Sequence, residues 1–358
     1  MTDILVIGGG IAGLSAAARL SADAQVTVLE AETSIGYHAS GRSAALFEQN
    51  YGKPTTIALN VASAEYHHSA QGGYLSPRGL LIVGKPDEQD AFLADVATMG
   101  VSRISMSQAL DLVPILDPAT TAFAGYHEAA YDIDTDRMLQ DFARIIRGND
   151  GSVLTGQRVT AITHTDGNWQ VRCGNTEHSA ALLVNAAGAW ADGIATMAGV
   201  APIGIVPNRR SMARIPAPEG RDPSSWPMFF GVGETWYAKP DAGALIVSPA
   251  DEDPVEPHDA WPDDMVLAEG LARYEAMVRP PVTRLLSSWA GLRSFAPDRT
   301  LVLGRDTTVP DFVWCAGQGG YGFQTAPAAS QLLADVVMGR APALDAATVA
   351  ALSPARFG

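Results

Sequence analysis

The sequence predicts an α/β chain in which a parallel-sheet domain is interrupted by an antiparallel-sheet domain. Three observations carry this reading. A strand–glycine turn–helix–strand unit fills about the first thirty residues, antiparallel strand patterns occupy the middle, and an α/β pattern returns over about the last sixty. Taken in order, DILVI (3–7) is a short apolar strand, GGGIAG a turn, LSAAARLSA a helix and QVTVLE (25–30) a second strand. TSIGYHASGRSAALF, rich in Gly and Ser, reads as a loop leading into a short helix, and 54–68 as a helix. RGLLIVGK reads as a strand, PDEQDAFLADVATMG as a helix stopped at Gly100, and TDRMLQDFARIIRGN as an amphipathic helix. VTAITHT and NWQVRC form a hairpin through Asp166-Gly167, and ALLVNAAGAW runs from a strand into a glycine turn. From about Ile203 to Arg293 the pattern is antiparallel, with WYAKP and GALIVSP flanking Asp241-Ala242-Gly243 and a helix near 265–277. TLVLG, FVWCAG and a helix over about 321–338 close the chain.

The 358 residues suffice for two domains of roughly 150 residues each. With 47% hydrophobic and 18% charged residues, a large core is expected and disorder is not. A net charge of -15, a pI near 4.8 and the lack of any Lys/Arg cluster exclude nucleic acid as a partner, and an anionic substrate needs dedicated arginines. Cys173 and Cys315 lie far apart without metal-ligand spacing, so no metal site is expected and a reducing compartment is. An apolar strand begins by Ile4 and no apolar run reaches bilayer length, so neither a signal peptide nor a transmembrane segment is expected, and the location expected is cytoplasmic.

Gly8-x-Gly10-x-x-Gly13 follows a strand and opens a helix. Gly8 permits the tight turn, Gly10 lets the backbone approach a pyrophosphate, and Gly13 lets helix and strand pack closely. Glu30, ending the next strand, is placed to accept hydrogen bonds from a ribose diol. This is a Rossmann-like dinucleotide fingerprint, and it does not separate NAD from FAD. Three later small-residue loops favour FAD: residues 36–44, Asn185–Trp190 and Gly317–Gly322, the last with a helix N-terminus able to stabilise negative charge on a flavin. Loops at such wide intervals need a long cofactor to explain them.

The motifs IGGGIAG, GYHASGRSAA, LVNAAGAW, WYAKPDAG, SPADEDPVE, WAGLRSFAPD and QGGYGFQT resemble the D-amino-acid oxidase-type flavoprotein superfamily, which includes glycine and sarcosine oxidases and, most similar of all, the bacterial D-arginine dehydrogenases. The resemblance runs nearly end to end. It implies that Arg210, Tyr237 and Arg293 hold a substrate carboxylate, that Tyr51 is a lid tyrosine, and that Gly320 offers a carbonyl to the amine. A planar guanidinium suits a carboxylate because it can donate two parallel hydrogen bonds. The cofactor contacts implied are Gly8, Gly10, Ile11, Ala12, Gly13, Glu30, Ala31, Ser40, Gly41, Arg42, Ser43, Ala44, Val159, Ala187, Gly188, Trp190, Arg293, Gln318, Gly319, Gly320, Tyr321, Gly322 and Gln324. Relatives that attach flavin covalently carry a cysteine just before a TPD-like segment; WAGLRSFAPD has none, so FAD is expected to bind noncovalently.

The chain also departs from the D-arginine enzymes. Their glutamate facing the substrate guanidinium is matched by Leu80, and a histidine and threonine of their active-site loop by Leu46 and Glu48. Glu48 either supplies the missing charge from another direction or is a solvated residue. The expected activity is oxidation of a D-amino acid to an imino acid and then a 2-oxo acid, with a quinone or other non-oxygen electron acceptor. The alternatives are an oxygen-using amine oxidase of the glycine or sarcosine type and a 2-hydroxy-acid dehydrogenase. The FAD domain is expected at 1–72, 133–200 and 296–358, and the substrate domain at 73–132 and 201–295.

Overall fold

A computed structural model of the chain describes residues 2–358. Its first layer is a six-stranded sheet in the order Val302–Arg305, Phe312–Ala316, Leu182–Asn185, Ile4–Ile7, Val26–Leu29, Ser152–Leu154. All neighbours are parallel except the first pair. The four residues of Ile4–Ile7 are buried on both faces, which is why that strand reads as an unbroken apolar run. Helices Ile11–Leu20, Thr135–Gly148 and Gly322–Val337 cover one face through Leu14, Leu20, Phe142, Ile146, Leu332 and Leu333. A three-stranded meander (Ala161–Thr165, Asn168–Cys173, Thr176–Ala180) covers the other, driving Trp169 against Phe312. Its Asp166-Gly167 turn has both φ positive, the geometry of a type I′ hairpin. The strand order reverses between Ile4–Ile7 and Leu182–Asn185, and ligands of open α/β sheets bind beyond the carboxyl ends of strands at such a point.

The second layer is an eight-stranded sheet ordered Ser287–Phe295, Val206–Pro216, Ala244–Ser248, Tyr237–Asp241, Met228–Gly231, Leu80–Gly84, Phe123–His127, Ser102–Ile104. Side chains alternate between its faces. Leu81, Val83, Ala213, Phe229, Leu245 and Val247 pack with Leu267 and Tyr274 of helix Asp264–Glu275, while Leu80, Ile82, Met212, Phe230, Tyr237 and Ile246 form the opposite face. A small sheet of Leu46–Glu48, Ala130–Ile133 and Leu75–Pro77 bridges the layers. Residues 34–48 depart from the sequence expectation. The short helix lies within the loop, at Ala39–Arg42, and the next element is a strand, because Leu46–Glu48 pairs with Ala130–Asp132. Among the described residues no helix is long and apolar enough to cross a membrane.

Candidate active site

Strand register assembles one wall of the site. Asn208 pairs with Arg293 and Arg210 with Gly291, so Arg210 and Arg293 share a face, one diagonal step apart. The same parity carries Met212, Tyr237, Phe230, Met228 and Leu80 onto that face, since Tyr237 pairs with Ser248 and Phe230, and Met228 with Leu80. All of them line one cavity with Leu46, Glu48, Tyr51, Met99, Glu234 and Gly320. Every residue expected at the carboxylate, amine or side chain of the substrate is therefore brought together.

Arg210 is only 5% exposed, and its Nη2 lies 3.3 Å from Glu252, which a second arginine, Arg299, holds at 2.6 Å. Nε and Nη1 of Arg210 are buried with no hydrogen-bond partner among the described residues. A buried guanidinium with idle donors is costly unless an anion completes it. Arg293 packs flat on Gly320: a Cβ there would fall 2.9 Å from its Cζ and Nη1. Tyr237 donates only to Met212 Sδ at 3.2 Å, a weak acceptor, which leaves the hydroxyl available. Tyr51 donates to Glu234 Oε2 at 2.9 Å; burial first, then the Glu234 carboxylate, raises its pKa, so it is a neutral donor. Glu234 escaped the sequence reading because it sits at φ 53 in the turn after Gly233, a left-handed position where its residue type gives no sign that it faces Tyr51.

A second cavity adjoins the first and shares Ile11, Ala39, Ser40, Arg42, Gly291, Leu292, Gln318 and Gly319 with it. It follows the switch point: Gly8, Gly10, Ala12, Glu30, Ala31, Val159, Ala187, Gly188 and Trp190 line it, together with His38, Gln157 and Arg158, which the sequence did not single out. Gly8 has φ 112, and a Cβ there would lie 2.3 Å from the Ala186 carbonyl oxygen; one on Gly13 would lie 1.9 Å from that of Gly8. Only glycine permits this turn and this helix–strand approach. The first-turn amides of helix Ile11–Leu20 lack intrahelical acceptors; Ser40 Oγ takes the Ile11 N–H at 3.0 Å, while Gly10 and Ala12 stand on the cavity wall. The Glu30 carboxylate is held by N–H groups of Gly9 (2.6 Å) and Glu32 (2.8 Å) at the cavity rim. A glycine cradle beneath a helix N-terminus, a fixed acid and a slot opening into a reaction cavity fit an elongated anionic dinucleotide.

Ser43, Ala44, Gly322, Gln324, Gly320 and Arg293, expected at the cofactor, line the first cavity. Gly13, Gly41 and Tyr321 line neither: Gly13 packs on Gly8, Gly41 on the Gly36 carbonyl, and the Tyr321 ring on Tyr51. The Arg42 guanidinium is engaged by Asp259 and by the carbonyls of Ala260 and Ala290, so it braces the loop. Glu48 is not the solvated residue that one reading allowed: it is buried and bonded to His127. Neither Cys173 nor Cys315 lines either cavity, and burial pushes the Cys315 thiol up to about 12.

The chain belongs to the FAD dependent oxidoreductase family, whose model matches residues 3–336, and FAD is its cofactor. It is 22% identical over 406 residues to FAD-dependent oxidoreductase domain-containing protein 1 of Bos taurus, covering 94% of this chain and 81% of that protein. Its fold is similar to L-proline dehydrogenase from P. horikoshii (TM-score 0.85, 23% identity, 99% and 97% of the two chains). It is similar also to glycine oxidase from Geobacillus kaustophilus (TM-score 0.84, 20% identity, 99% and 98%).

Proposed function

We propose that the protein oxidises the C–N bond of a small α-amino acid, of D configuration and with an uncharged side chain, and passes the electrons to a quinone or similar acceptor. The observation that carries this is the pair of idle, buried donors on Arg210, beside Arg293 in one cavity. Nε and Nη1 face different sides of the guanidinium, so a carboxylate completes one of them, and the Tyr51 and Tyr237 hydroxyls flank it. The Gly320 carbonyl then receives the amine, and the side chain lies against Leu46, Leu80, Met228 and Phe230. When bound, FAD would supply the redox chemistry as acceptor of the Cα hydride from an amine that has already given a proton to water, leaving an imino acid for water to hydrolyse. The chain's own residues orient the substrate and exclude water. The amino-acid substrates named for L-proline dehydrogenase and glycine oxidase support the substrate class. The D configuration and the likeness to D-arginine dehydrogenase rest on the sequence motifs, and Leu80 turns the preference away from arginine.

The domain division proposed is FAD binding by 1–72, 133–200 and 296–358, with residue 1 outside the described residues, and substrate binding by 73–132 and 201–295. It is supported by the six strands of the parallel sheet falling in the first set and the eight of the other in the second. The two free cysteines support a cytoplasmic location.

The test is anaerobic bleaching of the flavin by D- and L-amino acids, followed by reoxidation in air-saturated buffer. Bleaching by neutral D-amino acids and reoxidation slower than turnover with a quinone are expected. Bleaching by L-amino acids alone would reverse the configuration. Reoxidation faster than turnover, with stoichiometric peroxide, would make the enzyme an oxidase.

A further inference from the structure

Glu48 is a buried carboxylate on an otherwise apolar stretch of the substrate cavity. It ends strand Leu46–Glu48, is 2% exposed, and lines the cavity beside Leu46, Leu80 and Phe230. Among the described residues no lysine or arginine pairs with it; its one ionisable partner is His127. Both oxygens are nevertheless occupied. The Asn50 N–H donates to Oε1 at 3.0 Å and His127 Nδ1–H donates to Oε2 at 2.8 Å. Burial raises the Glu48 pKa, and the Asn50 N–H and His127 oppose that rise. The Asn50 bond is local, two residues along the chain. The His127 bond crosses between sheets, and register aims it: Leu80–Gly84 pairs with Phe123–His127 so that His127 stands opposite Leu80.

This arrangement determines what the cavity offers to a side chain. A carboxylate with idle oxygens in an apolar wall is a strong site for an ammonium or guanidinium, because little water competes for it. A carboxylate already holding two donors has far less to give, and a second cation must displace or share with the first. We propose that His127 is a specificity-determining residue: by occupying Glu48 it leaves the cavity suited to uncharged side chains and closed to lysine- and arginine-like ones. This rests on the amino-acid oxidation proposed above.

The experiment compares kcat/KM for D-norleucine and D-lysine, which share a four-carbon side chain and differ by the terminal ammonium. It is run at about pH 9, far above the ordinary carboxylate range, where the lysine ammonium, with an ordinary pKa of about 10.4, is still charged. The variants are His127→Phe, Glu48→Gln and the double variant, each with its flavin spectrum and thermal unfolding recorded. H127F is expected to move the ratio toward D-lysine by roughly ten- to a hundredfold, the size of one charge-assisted hydrogen bond. H127F/E48Q is expected to return it to the wild-type value, which a packing change would not do. Should H127F lose its flavin, His127→Ala is read in the same two ways. An unchanged ratio in a flavin-loaded His127 variant overturns the proposal, as does an equal shift in the double variant. If wild type oxidises only the L enantiomers, the comparison is made with those. A wild type that oxidises no amino acid refutes the underlying reading instead.

Discussion

Replacing Arg210 with Met separates the substrate role of this arginine from any contribution to stability, because the two effects have opposite signs. The guanidinium is buried, and two of its donor nitrogens have no partner among the described residues. A hydrogen bond to a charged group contributes roughly 1.5–3 kcal/mol, and a carboxylate can take up one of the two idle donors, which lie on different sides of the guanidinium, so the loss is roughly one to two decades of affinity. The free protein, by contrast, is relieved of a buried guanidinium with two unpaired donor nitrogens, a desolvation cost that a neutral side chain of similar size does not carry. Glu252 is not stranded by the change, because Arg299 still holds it at 2.6 Å. R210M is therefore expected to bind a competitive carboxylate roughly ten- to a hundredfold more weakly, to keep its FAD, and to unfold at the same temperature as wild type or slightly higher. The assay is titration of the flavin absorbance with the carboxylate ligand, paired with calorimetry. Wild-type affinity would remove Arg210 from the site. A weakened affinity accompanied by flavin loss or a lower Tm would mean that the arginine supports the fold, contrary to the reasoning from its idle donors.

Gly13→Val is expected to abolish flavin binding, read as loss of the visible spectrum after purification, because its Cβ would stand 1.9 Å from the Gly8 carbonyl oxygen. Acid precipitation is expected to release all of the flavin into the supernatant, since neither cysteine reaches the cavities; yellow pellets would show a covalent link. His67 is buried with Nε2 3.0 Å from the Gln324 carbonyl oxygen, and burial lowers its pKa to about 4. The unfolded chain therefore takes up this proton near pH 6.5 and the folded chain only near 4, so stability present above 6.5 is lost as pH falls toward 4, by about 3 kcal/mol. His67→Gln should flatten that part of the urea-midpoint profile, and an unchanged slope would show that other groups carry it. Gly320→Ala should weaken carboxylate binding while sparing FAD, since the new methyl displaces the Arg293 guanidinium; unaltered binding would mean that Arg293 tolerates the shift.

Much of this architecture is legible from the sequence because its signals are local and periodic. The glycines at 8 and 13 announce a turn whose geometry excludes any side chain, and the fixed period of two along a strand such as Tyr237–Asp241 sets which of its residues share a face. What alternation cannot reveal is which strand lies beside which. Arg210 and Arg293 become neighbours only because Val206–Pro216 pairs with Ser287–Phe295, a register concealed by a separation of 83 residues. Charge is concealed more deeply still. Arg42, a cofactor contact by resemblance, does stand on both cavities, yet Asp259 and two carbonyls 218 and 248 residues away claim its guanidinium. Glu48 looks like either a counter-ion or a solvated acid; it is not solvated, because it is buried and bonded to His127, which arrives from another sheet 79 residues on. In each case the residue's chemistry is written in the sequence, but its availability depends on a tertiary partner. Side-chain preference in this cavity accordingly cannot be read from position 80 alone. Leu80 removes one route to a cationic substrate, and whether Glu48 reopens it depends on what stands opposite Leu80 on the neighbouring strand.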